Sequence, residues 1–177
     1  MKKYLLPVLA LALAALILFG ASWGLNSLAN RNAQQAHLDM LHTLLPGAET
    51  FRVEPYTGED ENVRSVHKAE NGYVIDTATQ GYAGEISLLV GVSNQGTVTG
   101  LVVQTMEETF GLGRNALTDH VFLSQFLNTA GEAAVGETVD AISGATVTSK
   151  AIARCVNSAV AVVTGVDASS GATSWGG

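Results

Sequence analysis

From Leu5 to Leu25 the chain runs for 21 residues with only Pro7, Gly20, Ser22 and Gly24 interrupting an apolar stretch. No charged residue falls between Lys3 and Arg31. At a helical rise of about 1.5 Å per residue such a run spans roughly 30 Å, the thickness of a bilayer core. This one feature removes residues 1–30 from any water-soluble fold and predicts a membrane anchor with a separate domain after it. A cleaved secretory signal is the rival reading, but its apolar region is about 7–15 residues long and ends in a small-x-small site. Here the run is longer and the best such site, Ser27-Leu28-Ala29, comes late, so an uncleaved anchor is expected. No cysteine lies near it, which excludes a lipoprotein anchor. Lys2 and Lys3 place the amino end in the cytoplasm and everything after Arg31 outside, as a single pass in the cell (inner) membrane. Trp23 suits the outer interface, and Gly20 with Gly24 forms a small-xxx-small pair of the kind that admits a partner helix.

The exported part is acidic. Of nine basic residues two are Lys2 and Lys3, leaving seven against sixteen acids, net −9 for residues 31–177. That balance argues against nucleic acid as a partner, which calls for a basic face. A single cysteine, Cys155, excludes an intrachain disulfide framework and any cysteine-only metal or cluster site within this chain. Lying inside an apolar helical pattern with no second thiol to resolve it, Cys155 reads as a buried structural residue. The four histidines, His37, His42, His67 and His120, show no metal-ligand spacing on a helix face, so no metal site is expected. The acids of Thr57–Asn62 lack EF-hand spacing and read as a solvated turn. Phosphate-loop, dinucleotide and Gly-x-Ser-x-Gly patterns are absent from the sequence.

The pattern of elements is α+β, an antiparallel sheet with flanking helices. Residues 33–45 carry apolar positions at helical spacing and end at Pro46-Gly47. Residues 51–56 suggest a short strand. Four β-rich runs follow, Val63–Lys68, Gly72–Ala78, Gly84–Val92 and Thr97–Met106, divided by turn chemistry at Asn71-Gly72, Gly81 and Asn94-Gln95-Gly96. In the last run Val98, Leu101 and Val103 are the candidate buried set. A helix is expected over 118–129 with Val121, Phe122 and Phe126 on one face, then a short strand over 138–142. The clearest helix after the anchor spans 147–163, where Ile152, Val156, Ala159, Val160 and Val163 recur at helical spacing and Gly165 follows. Residues 166–177 form a flexible Gly/Ser-rich tail.

The stretch Asp140-Ala141-Ile142-Ser143-Gly144-Ala145-Thr146-Val147-Thr148-Ser149-Lys150 is the most informative. Its plain reading is a strand-to-helix turn, with Gly144 at the bend and Thr146, Thr148 or Ser149 capping the helix. The same geometry also suits an anion. Free N–H groups at a helix amino end attract negative charge, and small residues around a hydroxyl leave room for a large group. Thr146 is then the attachment point for a phosphate-bearing ligand.

Asp-x-x-Ser-Gly-Ala-Thr followed by Thr-Ser closely resembles the FMN-attachment motif of the FMN-binding domain family. That family includes the G subunit of the Rnf electron-transport complex and the C subunit of the sodium-translocating NADH:quinone reductase, and the length of this chain is nearer the former. The resemblance implies that a dedicated flavin transferase joins FMN covalently, through a phosphodiester, to Thr146, with Asp140 matching the motif's acidic residue. A second block, Glu108-Thr109-Phe110-Gly111-Leu112-Gly113, is similar to the family's His-x-Glu-Thr-Pro-Gly-Leu-Gly loop against the flavin. Met106 stands at the His position and Phe110 at the Pro position. Leu45-Pro46-Gly47-Ala48 and Gly81-Tyr82-Ala83-Gly84 are further matches, so the likeness runs over most of residues 36–163. It implies a domain over 31–165 with Thr146, Ser143, Gly144, Ala145, Asp140, Thr148, Glu108, Thr109, Gly111, Leu112 and Gly113 around the cofactor. Glu108 and Thr109 are expected to tune the flavin by hydrogen bonding.

The implied function is a membrane-anchored flavoprotein subunit that relays electrons with other membrane subunits of an Rnf-type complex, which couples ferredoxin and NAD to ion movement. No residue acts as nucleophile or general acid, so no catalytic turnover is expected from this chain alone. Two rivals stand beside it. One is a free-standing anchored FMN protein serving as an extracytoplasmic electron carrier or reductase module. The other is a non-redox binding domain in which the motif is only a helix cap. A second Asp-x-x-Ser-Gly-Ala-Thr pattern at Asp167–Thr173 makes Thr173 a second formal candidate. Too few residues follow it for a helix, so Thr146 is expected to be the site.

Overall fold

Alternation along the middle of the chain changes character at Glu85–Ser93, where apolar residues fill consecutive positions instead of every second one. A strand of that kind needs cover on both faces, and the architecture supplies it. The computed structural model describes residues 31–106 and 118–165. The chain divides into two units, Met1–Asp39 and Met40–Gly177. In the first, the described residues 31–39 are helical; in the second, residues 40–44 are helical and form α1.

The second unit holds five strands in a meander: β1 Arg52–Glu54, β2 Val63–Lys68, β3 Gly72–Gln80, β4 Glu85–Ser93 and β5 Val98–Met106. Each pairs antiparallel with the next, in the order β1-β2-β3-β4-β5. The four longer strands agree with the expected runs to within two residues at each end. Among the described residues two helices follow, α2 His120–Ser124 and α3 Thr146–Thr164.

The two faces of the sheet have separate cores. On one, Ile75, Leu88, Val90 and Val98 pack with Ile152, Val156, Ala159 and Val160 of α3 and with Phe122 and Phe126. On the other, Val74 and Leu89 pack with Leu41, Leu44 and Leu45 at the end of α1. Neighbours in sequence (Val74 and Ile75, Leu88 and Leu89) thus belong to different cores, as the period of two requires. The end of α1 comes unusually close to the sheet at Gly91, which pairs with Gly100 across β4 and β5. A Cβ on Gly91 would collide with the Leu44 carbonyl oxygen. Thr99 Oγ1 donates to that same carbonyl at 2.6 Å, satisfying a terminal acceptor of the helix.

Two expectations fail in the region after β5. The helix expected over 118–129 is only α2, and Val121 is 77 % exposed instead of sharing the buried face of Phe122 and Phe126. Asn128 takes φ 62°, a left-handed value that asparagine tolerates, and Asn128 N donates to Val98 O while Val98 N donates to Thr129 O, both at 2.9 Å. Pairing with the start of β5 therefore wins over continued helix. The strand expected over 138–142 reduces to one parallel bridge, Val135 with Val139. The buried carboxamide of Asn157 on α3 accepts from Ala133 N and donates to Ala133 O, occupying backbone groups that a ladder would use.

Candidate functional site: the loop entering α3

The loop 139–145 is built from its two fixed ends. Val139, 1 % exposed, sits in the core, and its carbonyl accepts from Gly136 N at 2.8 Å. At the other end Ala145 is buried and α3 begins at Thr146. Between them Gly144 turns the chain at φ 80°, a conformation glycine adopts freely. Ala145 N donates to Ile142 O at 2.9 Å and closes the turn.

The hydroxyls behave differently from the capping role expected of them. Ala145 stands at the N-cap of α3, and no side chain caps the helix. Ser149 is fully buried. Its Oγ donates to Ala145 O at 2.9 Å and accepts from Ile142 N at 3.3 Å, so it ties the turn to the first turn of the helix. Thr148 is also buried, at 1 % exposure. Thr146 is exposed, as are Ser143, Gly144 and Asp140, and Val147 beside it is 47 % exposed. The first N–H groups of a helix have no partner within it, and here no acidic side chain in the first turn offsets their partial positive charge. The exposed Thr146 hydroxyl thus stands at an electropositive helix end flanked by small residues. That combination fits a phosphate ester at Thr146: oxygen available for the bond, N–H groups for the charge, and open space for the bulk.

Asp140 is held from outside the loop. Its N–H donates to Gln125 Oε1 at 2.8 Å, and Gln125 Nε2 reaches the Asp140 carbonyl at 3.5 Å. Sequence reasoning singled out neither Gln125 nor Asn157. Asn157 left a signal, a polar residue on the apolar side of α3, whereas nothing local marks Gln125. Glu108, Thr109, Gly111, Leu112 and Gly113 lie outside the described residues, as do residues 1–30, where the anchor is expected, and residues 166–177, where the tail and Thr173 fall. Among the described residues no helix is long and apolar enough to cross a membrane.

Cys155 is buried on α3, and burial pushes its thiol up to about 11 against an opposing hydrogen bond with Thr77. A thiol held protonated is a poor nucleophile, which agrees with a structural role.

Comparison with known proteins identifies the family. A model of the FMN-binding domain matches residues 81–161, which include Asp140, Thr146 and Ser149. The G subunit of the ion-translocating oxidoreductase complex of Methanosarcina acetivorans is 36 % identical over 138 residues, 69 % of this chain and 72 % of that protein. The chain belongs to this G-subunit family. Two further family members are the G subunits of the sodium-translocating ferredoxin:NAD oxidoreductase complex of Acetobacterium woodii and of its proton-translocating counterpart in Clostridium ljungdahlii. They are 36 % and 37 % identical over 102 and 99 residues, or 51 % and 52 % of this chain. The chain aligns with about half the length of these two relatives, 48 % and 53 % respectively.

Proposed function

We propose that this family member is a flavoprotein subunit that carries one FMN and relays electrons within an Rnf-type ion-translocating ferredoxin:NAD oxidoreductase complex. The observation that carries the reading is an exposed threonine at an uncapped helix amino end, inside a segment that matches the FMN-binding domain. The names of the relatives support the complex, and the matched domain supports FMN.

In this reading Thr146 Oγ bears the riboflavin phosphate in a phosphodiester, and a flavin transferase makes the bond. The first-turn N–H groups of α3 offset the charge of the ester. Gly144 and Ala145 keep the approach open, and Ser149 holds the turn from below. Asp140 serves recognition by the transferase, and the loop 108–113 lies against the ring. Bound flavin exchanges electrons in pairs or singly, and the protein contributes position and electrostatics. A covalent tether suits an exported domain, because a weakly held cofactor would be lost to dilution. Residues 1–30 anchor the chain beside the other membrane subunits, with the domain on the extracytoplasmic side.

Intact mass and peptide mapping of full chain made together with a flavin transferase test this directly. The expected result is a gain of one FMN minus one water on the peptide containing Thr146, lost in Thr146→Ala and kept in Thr173→Ala. An unmodified mass, or flavin that follows Thr173 instead, overturns the assignment. Co-purification with the membrane subunits of the complex separates a relay subunit from a free-standing carrier.

A further inference from the structure

The segment that leads to Thr146 is held at one point by a side chain from another element. Val139 is anchored in the core, and Ile142 is tied by Ser149 and by the turn to Ala145. Asp140 between them is exposed. Its main chain is reached from a different element by the Gln125 side chain, which accepts from Asp140 N at 2.8 Å and offers its Nε2 to Asp140 O at 3.5 Å. One carboxamide thus imitates a strand neighbour for one residue. The base of that side chain is firm. Gln125 closes α2, whose start is capped by Asp119, and the adjacent Phe126 is wholly buried with its ring packed edge-on against Phe122 at 5.3 Å.

We propose that Gln125 is a positioning residue for flavin attachment: its pairing with the Asp140 main chain holds the approach to Thr146 in the shape that the transferase reads. The proposal rests on the reading that Thr146 receives the flavin. In the step concerned, Thr146 Oγ bonds to the phosphorus of a riboflavin phosphate and gives its proton to a base on the transferase. The donor is a flavin dinucleotide, whose pyrophosphate bond breaks and whose nucleotide half leaves. No redox change occurs. Gln125 touches none of the reacting atoms. It acts by keeping the Asp140–Thr146 segment in one conformation, so that less ordering remains to be done when the transferase binds.

The chemistry of the pair makes the test specific. Glu at 125 keeps an acceptor for Asp140 N–H, whereas Leu keeps the bulk and loses the acceptor. Full chain is mixed with a flavin transferase and flavin dinucleotide, at high salt so that a carboxylate at 125 is screened from Asp140. The rate of covalent flavin incorporation is followed, with hydrogen exchange of the Asp140 amide and the thermal midpoint measured on the same samples. Gln125→Leu is expected to slow incorporation about five- to tenfold, the factor that one lost hydrogen bond corresponds to. It should also speed exchange at Asp140, with the thermal midpoint nearly unchanged. Gln125→Glu should restore the wild-type rate to within about twofold, since the stronger 2.8 Å bond survives. A role confined to packing α2 would not distinguish Glu from Leu. Equal rates for wild type and Gln125→Leu, or equal slowing by Glu and Leu, overturn the proposal and leave the Thr146 reading intact. A wild-type chain that takes no flavin at Thr146 overturns both.

Discussion

The two helices that follow the sheet begin in opposite ways. At α2 the Asp119 carboxylate accepts from Val121 N at 2.9 Å and Phe122 N at 3.1 Å, so a five-residue helix has its amino end served by its own chain. At α3, a helix of 19 residues, the N-cap is Ala145 and no side chain serves the end. A short helix that buries little depends on its cap. A long helix that buries Ile152, Val156, Ala159 and Val160 forms without one, because tertiary packing supplies its stability. The spare N–H groups of α3 are therefore free for a ligand at no cost to folding. One helix end is served by its own chain, and the other presents first-turn N–H groups that no side chain caps.

Substitutions at the two ends should separate these roles. The largest effect expected is on the cofactor: Thr146→Ala removes all denaturation-resistant flavin while leaving the thermal midpoint of the unmodified chain close to wild type. Substantial unfolding of that variant would mean that Thr146 supports α3 and would erase the contrast. Next is the packed side of the same helix. Ile152, with no exposed surface, faces the sheet, and Ile152→Ala should cost about 2–5 kcal/mol in denaturant unfolding. A loss well under that range would mean that α3 depends on its start after all.

Cys155 offers a pH-dependent measure of the same burial. Its folded thiol keeps its proton to about 11, whereas the ordinary value is 9.0. The folded state therefore binds more protons between those values. The stabilising difference is complete below pH 9.0 and is lost as pH rises towards 11. Linkage puts the loss at about 2–3 kcal/mol, read as the difference between wild type and Cys155→Ala over that window. A flat difference would mean that the thiol is not buried against β3. The smallest effect belongs to the capped helix. Asp119→Ala should cost about 1 kcal/mol and, by loosening α2 beneath Gln125, slow flavin attachment no more than Gln125→Leu does.

Legibility differs between regions for a physical reason. The four longer strands are readable because β-rich runs lie between strong turn signals, and α3 because it repeats the helical period along its length. The stretch 118–142 departs from its local pattern because its outcome depends on distant partners. Val98 takes the backbone of Asn128 and Thr129, and Asn157 takes that of Ala133. Each partner lies more than about 20 residues from what it redirects, beyond the reach of any local pattern. At the candidate site the residue types around Thr146 are visible in the motif. The actual duty of Ser149, binding back to Ala145 and Ile142 instead of capping, is not, because a hydroxyl near a helix start can serve either use.

Taken alone, the order of residues determined an α+β pattern, a run of antiparallel strands, a long final helix and a threonine in a motif suited to a phosphate ester. These depend on local period, turn chemistry and a short motif, all written in contiguous residues. The tertiary structure alone decided that α3 starts without a cap, that Thr148 is buried while Thr146 is open, and that Gln125 reaches across to Asp140. Those outcomes follow from which side chains arrive from elsewhere in the chain, and a hydrogen bond between residues far apart in sequence exists only once the core has brought them together.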